Sequence, residues 1–249
     1  MFLDLHDVRK GYDGAPVLQG IDLCLDKPGV VALLGPNGCG KTTLLNILGG
    51  LLPPDSGTVR VCGKPVDALS KGYVFQNYRE ALFPWKRCWD NIAYPLRLRG
   101  LNRAEQAARV DPLLELFSVD FDFRRYPHRL SGGQQQLVAL LRAFVTTPDL
   151  LLLDEPFSAL DFEARLSVRN HLQDLLAASH IPAVMVSHDI EDAVYLADWI
   201  VLLSRRPSHV AHVIPCTLPR PRTLEMLNGP AFTDLAAQGM AFFREVAWT

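Results

Sequence analysis

Five consecutive apolar residues, Val30 to Leu34, run directly into Gly35-Pro-Asn-Gly-Cys-Gly-Lys41-Thr42, and the next residues, through Leu48, have the composition of a helix. No other stretch narrows the possible folds as far. A short unbroken apolar run suits a parallel strand buried on both faces. The loop fits G-x-x-x-x-G-K-[ST] at every fixed position, in the strand–loop–helix context where that pattern holds phosphate. Its glycines let backbone N–H groups turn inward as an anion nest, and the following helix adds its positive end. In this reading Gly35, Pro36, Asn37, Gly38, Cys39 and Gly40 form a nucleotide cradle. Lys41 reaches the β and γ phosphates, and the Thr42 hydroxyl ligates Mg²⁺. Cys39 is an incidental small residue here, whose thiol would make nucleotide binding sensitive to thiol reagents.

The rest of the chain continues the alternation of strands and helices. Met1 to Lys10 alternates apolar with polar residues and carries Asp4 and Asp7, which suits a strand and not a signal peptide. Ile21, Leu23 and Leu25 have the period of a half-buried strand. Thr58 to Val61 and Gly72 to Phe75 read as further strands, and Leu150 to Leu153, Ala183 to Val186 and Trp199 to Leu203 as buried ones. Residues 86–118 read as mostly helical, with Asn102 as the N-cap of a helix from Arg103 to Phe117. Ser131 caps another helix, running to about Thr146. A helix over 162–178 puts Val168, Leu172, Leu175 and Leu176 on one face. Strands alternating with helices imply an α/β fold with a mostly parallel sheet. The basic, proline-rich stretch Pro215 to Arg222 leads into a last helical segment.

Composition excludes several classes. With 25 basic and 27 acidic residues the net charge is −2, which gives no reason to expect nucleic acid as a partner. No apolar run approaches the roughly 20 residues needed to span a bilayer. The five cysteines are scattered, with neither metal spacing nor a disulfide framework.

A phosphate loop alone does not choose among kinases, GTPases and ATPases. No Asn-Lys-x-Asp guanine-reading motif is present. After the run Leu150 to Leu153 come Asp154 and Glu155. A carboxylate at the end of a buried strand beside a phosphate loop holds Mg²⁺ through its waters, and the adjacent Glu155 is placed to take a proton from an attacking water. Leu130-Ser-Gly-Gly-Gln134 then matches the signature motif of ABC ATPases letter for letter, and the chain resembles that family over nearly its whole length. Ser158-Ala-Leu-Asp161 matches the family's D-loop, Ser187-His188-Asp189 its histidine switch, Gln76 its Q-loop and Tyr12 the aromatic residue that stacks on adenine.

The resemblance implies a single ABC ATPase domain over 1–249. Residues 1–76 and 148–214 would form the phosphate-loop core with an antiparallel β part near the N-terminus. Residues 77–147 would form an inserted helical subdomain carrying the signature motif, and 215–249 a C-terminal basic and helical extension. It implies ATP and Mg²⁺ as cofactors. Tyr12, the cradle through Thr43, Ser131, Gly132, Gly133, Gln134 and Asp161 would contact nucleotide. Thr42, Gln76 and Asp154 would hold the metal, and Glu155, His188 and Gln76 would act in hydrolysis. Two copies are expected to pair head to tail, each ATP sandwiched between one copy's phosphate loop and the other's signature motif. Ser131 and the N–H groups of Gly132 and Gly133 lie at a helix start, which suits a γ-phosphate. After Gln134, where relatives often read Arg-Gln-Arg-Val-Ala, this chain reads Gln135-Gln-Leu137-Val-Ala, which loses no catalytic group.

The segments Gln76 to Trp85, Trp89 to Ile92, Asp189 to Asp198 followed by Leu203 to Pro207, and Leu218 to Arg222 resemble the nitrate, sulfonate and taurine import group. The implied protein is an ATPase at the cytoplasmic face of a bacterial inner membrane. Its partners would be separate membrane-spanning permease subunits and, indirectly, an extracytoplasmic solute-binding protein. Leu82 to Trp85 would help receive a coupling helix of the permease. The solute would be a small anion such as nitrate, a sulfonate or taurine. The alternative is a non-transport ABC ATPase of DNA repair or the ribosome. Neither the inserted coiled coils of the repair forms nor the paired ATPase units of the ribosomal ones are present.

Overall fold

The computed structural model describes residues 1–116, 121–158 and 160–248. In chain order the first half contains β1 (Leu3–Tyr12), β2 (Ala15–Leu25), β3 (Val30–Leu34), α1 (Lys41–Leu48), β4 (Ser56–Val61), β5 (Lys64–Pro65), β6 (Lys71–Val74), α2 (Tyr78–Ala81), α3 (Cys88–Leu98) and α4 (Arg103–Leu116). The second half contains α5 (Gly132–Phe144), β7 (Leu150–Asp154), α6 (Phe162–Ser179), β8 (Ala183–Val186), α7 (Ile190–Leu196), β9 (Trp199–Leu203), β10 (Val210–Pro215) and α8 (Pro230–Trp248). By packing, the chain divides into two compact units, residues 1–69 with 182–249, and residues 70–181.

In the first unit an antiparallel sheet has the order β2-β1-β4-β5. Leu3 faces Leu25 and Leu5 faces Leu23 across the β1–β2 pair, and all four are buried. The expected antiparallel part near the N-terminus is therefore present. In the same unit β3 pairs in parallel with both β8 and β9, and β10 runs antiparallel on β9. Every residue of β3 and β8 is buried. At roughly 1.5–3 kcal/mol for each buried Val or Leu, this apolar pairing holds the loops at the strand ends in place. No alternation in the sequence pointed to β10, which sits at the edge of these strands. The basic tail is tied down: Arg220 pairs with Asp198 at 2.8 Å, and buried Arg222 donates to the carbonyls of Val194 and Ala197, both at 2.7 Å. Those carbonyls lie at the C-terminal end of α7, where a cation is favourable.

In the second unit β6 and β7 pair in parallel, with Val74 opposite Leu153. The Asp149 carboxylate accepts from the Ser70 amide at 2.8 Å and its hydroxyl at 2.7 Å, fixing the starts of the two strands together. Asn102 caps α4, its side-chain oxygen accepting from Ala104 at 3.0 Å and Glu105 at 3.1 Å. The predicted end of that helix at Phe117, and residue 118, lie outside the described residues. Helix α5 stops at Phe144, two residues short of the expected Thr146, and Thr147 takes φ 46°. On α6 the face formed by Val168, Leu172, Leu175 and Leu176 is buried, as its periodicity requires. Among the described residues no helix is long and apolar enough to cross a membrane.

Candidate functional site

The phosphate loop sits between β3 and α1 in the context read from its sequence. Gly40 takes φ 104°, and a β-carbon there would stand 2.7 Å from Leu18 and 2.8 Å from Val17. Only glycine fits, because the loop must turn left-handed while lying against β2. The Lys41 ammonium crosses the loop, donating to the carbonyls of Gly35 at 2.8 Å and Pro36 at 3.0 Å. Asn37, Gly38 and Thr42 are exposed, Pro36 and Thr43 half-buried, while Cys39 points inward with 1% of its surface exposed. Burial pushes the Cys39 thiol up, so it is a less accessible target than its sequence position suggested. A cradle that a side chain would fill, with an ammonium held at its centre, fits a nucleotide's phosphates.

His188 lies two residues past the end of β8 and is exposed. Because β8 lies parallel to β3, with Leu33 opposite Val186, His188 leaves the same end of these strands as Gly35. The Ser187 amide donates to the Leu33 carbonyl at 3.1 Å and the Asp189 amide to the Ser187 hydroxyl at 3.0 Å, which fixes the turn. Tyr12 ends β1, is 46% exposed and faces Ala15.

Within the second unit, Gln76 and Glu155 are two residues beyond a registered pair of parallel strands, so they also emerge at one end. The Gln76 amide donates to the Glu155 carboxylate at 3.0 Å. Asp154 is 5% exposed at the end of β7. The Tyr73 phenol is pushed above its ordinary range by burial and then by the nearby Asp154 charge. Glu155 takes φ 46°, a left-handed backbone that costs a non-glycine residue roughly 1–2 kcal/mol.

Ser131 and Gln134 form a reciprocal cap at the start of α5: the Ser131 hydroxyl accepts from the Gln134 amide at 3.3 Å, and the Gln134 side-chain oxygen accepts from the Ser131 amide at 3.1 Å. A β-carbon on Gly133 would stand 2.8 Å from Ala164, so the signature glycine lets α5 lie against the first turn of α6. Asp161 caps that turn, accepting from Ala164 at 2.8 Å. The signature motif and Asp161 are thereby brought together. Ala159, between them in the D-loop, lies outside the described residues.

Two supporting residues escaped sequence reasoning. Ser208 is fully buried, and its hydroxyl donates to the Cys39 carbonyl at 2.6 Å. Its backbone holds β2, the amide donating to Val17 at 2.8 Å and the carbonyl accepting from Gln19 at 2.9 Å. Asn91, also fully buried, accepts from the Phe83 amide at 2.8 Å and donates to the carbonyls of Phe83, Lys86 and Arg87 at 3.1–3.2 Å. It shapes the segment that leaves Trp85 70% exposed. Short side chains next to basic or aromatic runs carry no periodic signal, so neither contact could be read beforehand.

A phosphate loop after a buried parallel strand, acidic and amide groups at the common end of a second pair of parallel strands, and a capped glycine helix start are together the parts of an ATP-binding cassette. Residues 18–158 match the sequence profile of the family described as "ABC transporter", and the chain belongs to that family. It is 38% identical over 220 residues to the taurine import ATP-binding protein TauB of Escherichia coli O157:H7, covering 88% of this chain and 86% of that protein. It is 43% identical over 213 residues to the sulfate/thiosulfate import ATP-binding protein CysA of Methylococcus capsulatus, covering 82% of this chain and 61% of that protein. Among solved structures, that of dimeric MJ0796, a bacterial ABC transporter cassette, superposes with a TM-score of 0.75 at 28% identity, over 88% of this chain and all of that one.

Proposed function

We propose that this chain is the ATP-hydrolysing subunit of an ABC importer for a small anionic solute such as taurine, another sulfonate, sulfate or nitrate. The import reading is supported by similarity to the taurine and sulfate import proteins. The observation that carries hydrolysis is the pairing of Gln76 with Glu155 at the common end of two parallel strands. A carboxylate held there by an amide can accept a proton from water and stay oriented while doing so.

In this reading the cradle from Gly35 to Thr43 binds the ATP phosphates, Lys41 offsets their charge and Tyr12 stacks on the base. Thr42, Gln76 and Asp154 supply oxygen donors of the kind Mg²⁺ takes. Bound there, Mg²⁺ would neutralise charge on the phosphates. Glu155 is the general base, and His188 donates a hydrogen bond to the γ-phosphate. Two copies pair head to tail, so that Ser131, Gly132, Gly133, Gln134 and Asp161 of one complete the site on the other. ATP then favours the dimer, and hydrolysis releases it. The helical segment 77–147 docks separate permease subunits at the cytoplasmic face of the inner membrane, with Leu82 to Trp85 in the receiving groove, and an extracytoplasmic protein delivers the solute.

The test is Glu155→Gln. It is expected to abolish Mg²⁺-dependent ATP hydrolysis while trapping an ATP-bound dimer; normal turnover would refute the assignment of the base. Disrupting the gene is expected to abolish uptake of one of these anions. Uptake unchanged, with the protein found on ribosomes instead of membranes, would refute the import reading.

A further inference from the structure

Helix α5 begins at Gly132, and its first turn carries no acidic residue. Close to that start lie two side chains from α2 that no motif accounts for. The Arg79 guanidinium is 3.0 Å, and the Tyr78 hydroxyl 3.1 Å, from the place a β-carbon on Gly132 would occupy. Two features of this arrangement are unfavourable by themselves. A cation sits at the positive end of a helix, where the dipole opposes it, and no ion pair joins Arg79 to a carboxylate among the described residues. The Tyr78 residue is 3% exposed, and its hydroxyl has no hydrogen-bond partner among the described residues. A buried donor without an acceptor is costly.

One ligand class resolves both. An anion seated at the start of α5 would supply Arg79 with a counter-charge and Tyr78 with an acceptor, while meeting the helix N–H groups. We infer that Arg79 and Tyr78 extend the signature half-site and contact the terminal phosphate of an ATP bound to the phosphate loop of the second copy. This rests on the head-to-tail pairing proposed above. Arg79 suits the role because a guanidinium fork can grip two phosphate oxygens at once. Arg79 is exposed, which leaves it open to an approaching partner. The assignment adds a cation from the partner to the charge supplied by Lys41.

The test separates a contact across the dimer from one within the chain. In a Glu155→Gln background, which blocks hydrolysis, ATP-driven dimer formation is followed by light scattering, and ADP affinity by equilibrium dialysis. ADP lacks the terminal phosphate, so its affinity reports only the chain's own phosphate loop. Arg79→Ala is expected to raise the ATP concentration needed for dimerisation at least tenfold and to leave ADP affinity and Tm unchanged. Tyr78→Phe is expected to raise it by about threefold, and Arg79→Lys to recover part of the loss. Dimerisation unchanged in Arg79→Ala overturns the inference, and so does a fall in ADP affinity, which would mean that Arg79 serves its own chain. Ser131→Arg serves as the control for the pairing. If that bulky substitution leaves dimerisation intact, the head-to-tail arrangement itself has failed, and the assignment of Arg79 with it. If Ser131→Arg blocks the dimer and Arg79→Ala does not, only the assignment of Arg79 has failed.

Discussion

Replacing Ser208 with alanine removes the hydroxyl that ties the phosphate loop down. The hydroxyl donates to the Cys39 carbonyl at 2.6 Å from a fully buried position. The backbone bonds from Ser208 to Val17 and Gln19, at 2.8 and 2.9 Å, survive the substitution, so the connection between β9 and β10 stays docked on β2. What is lost is the hydroxyl's short bond to the loop's fifth residue, its longer contact of 3.2 Å with the Val17 carbonyl, and a small volume. A buried neutral hydrogen bond of this kind contributes about 1–2 kcal/mol. If the loss falls on the loop geometry that binds phosphate, KM for ATP rises about 5- to 30-fold, at 1.4 kcal/mol for each factor of ten. If it falls on the fold as a whole, the same loss lowers Tm by roughly 2–8 °C for a domain of this size. Steady-state ATPase kinetics and calorimetry on the same protein separate the two. The expected result is a raised KM with kcat and Tm little changed, and partial recovery in Ser208→Thr, which keeps the hydroxyl. An unchanged KM with a lowered Tm would refute the reasoning and leave Ser208 a purely structural tie.

Glu155 takes a left-handed backbone at φ 46°. Glu155→Gly and Glu155→Ala should both be inactive, but the glycine variant should be more stable by about 1 kcal/mol, seen as a Tm higher by roughly 2–4 °C; equal melting would show that the residue is not strained. Asn91→Leu removes the side chain that holds the 83–87 segment, leaving the Phe83 amide and carbonyl without their partner. It should cost about 1–3 kcal/mol, and should reduce coupling to the membrane subunits while leaving ATP affinity unchanged; a permease-stimulated ATPase assay that stays normal would count against that role. Iodoacetamide at pH 8 should modify exposed Cys62 well before Cys39, whose thiol burial pushes up, with Cys39 labelling accelerating as pH rises toward the thiolate. Mass spectrometry shows the order, and loss of ATP binding in step with the first label would contradict it.

Much of the site was legible because it is built from backbone geometry that only a few residue types allow. Gly40 must be glycine for a left-handed turn against β2, and Ser131 and Asp161 must be small oxygen acceptors to cap their helices. Such demands act on neighbouring residues in the chain, so they leave a local pattern. Buried parallel strands leave one too, as Val30 to Leu34 and Leu150 to Leu153 show. The strand β10 left none: at a sheet edge its residues are half-buried or exposed in no alternating order, apart from Ile214.

The amino-acid sequence by itself determined the phosphate loop, the caps, the order of strands and helices and the family. Tertiary structure alone decided which distant groups meet. The arginines after Pro215 read as a basic surface stretch, yet Arg222 is 1% exposed and closes the end of α7. Ser208 reaches Cys39 across 169 positions. Tyr78 and Arg79 come to lie on Gly132, more than fifty positions later. The physical reason is the same in each case. A cap or a turn is selected by the dihedral angles of its own segment, whereas a buried donor is satisfied by whichever carbonyl the packing delivers, and no spacing along the chain records that choice.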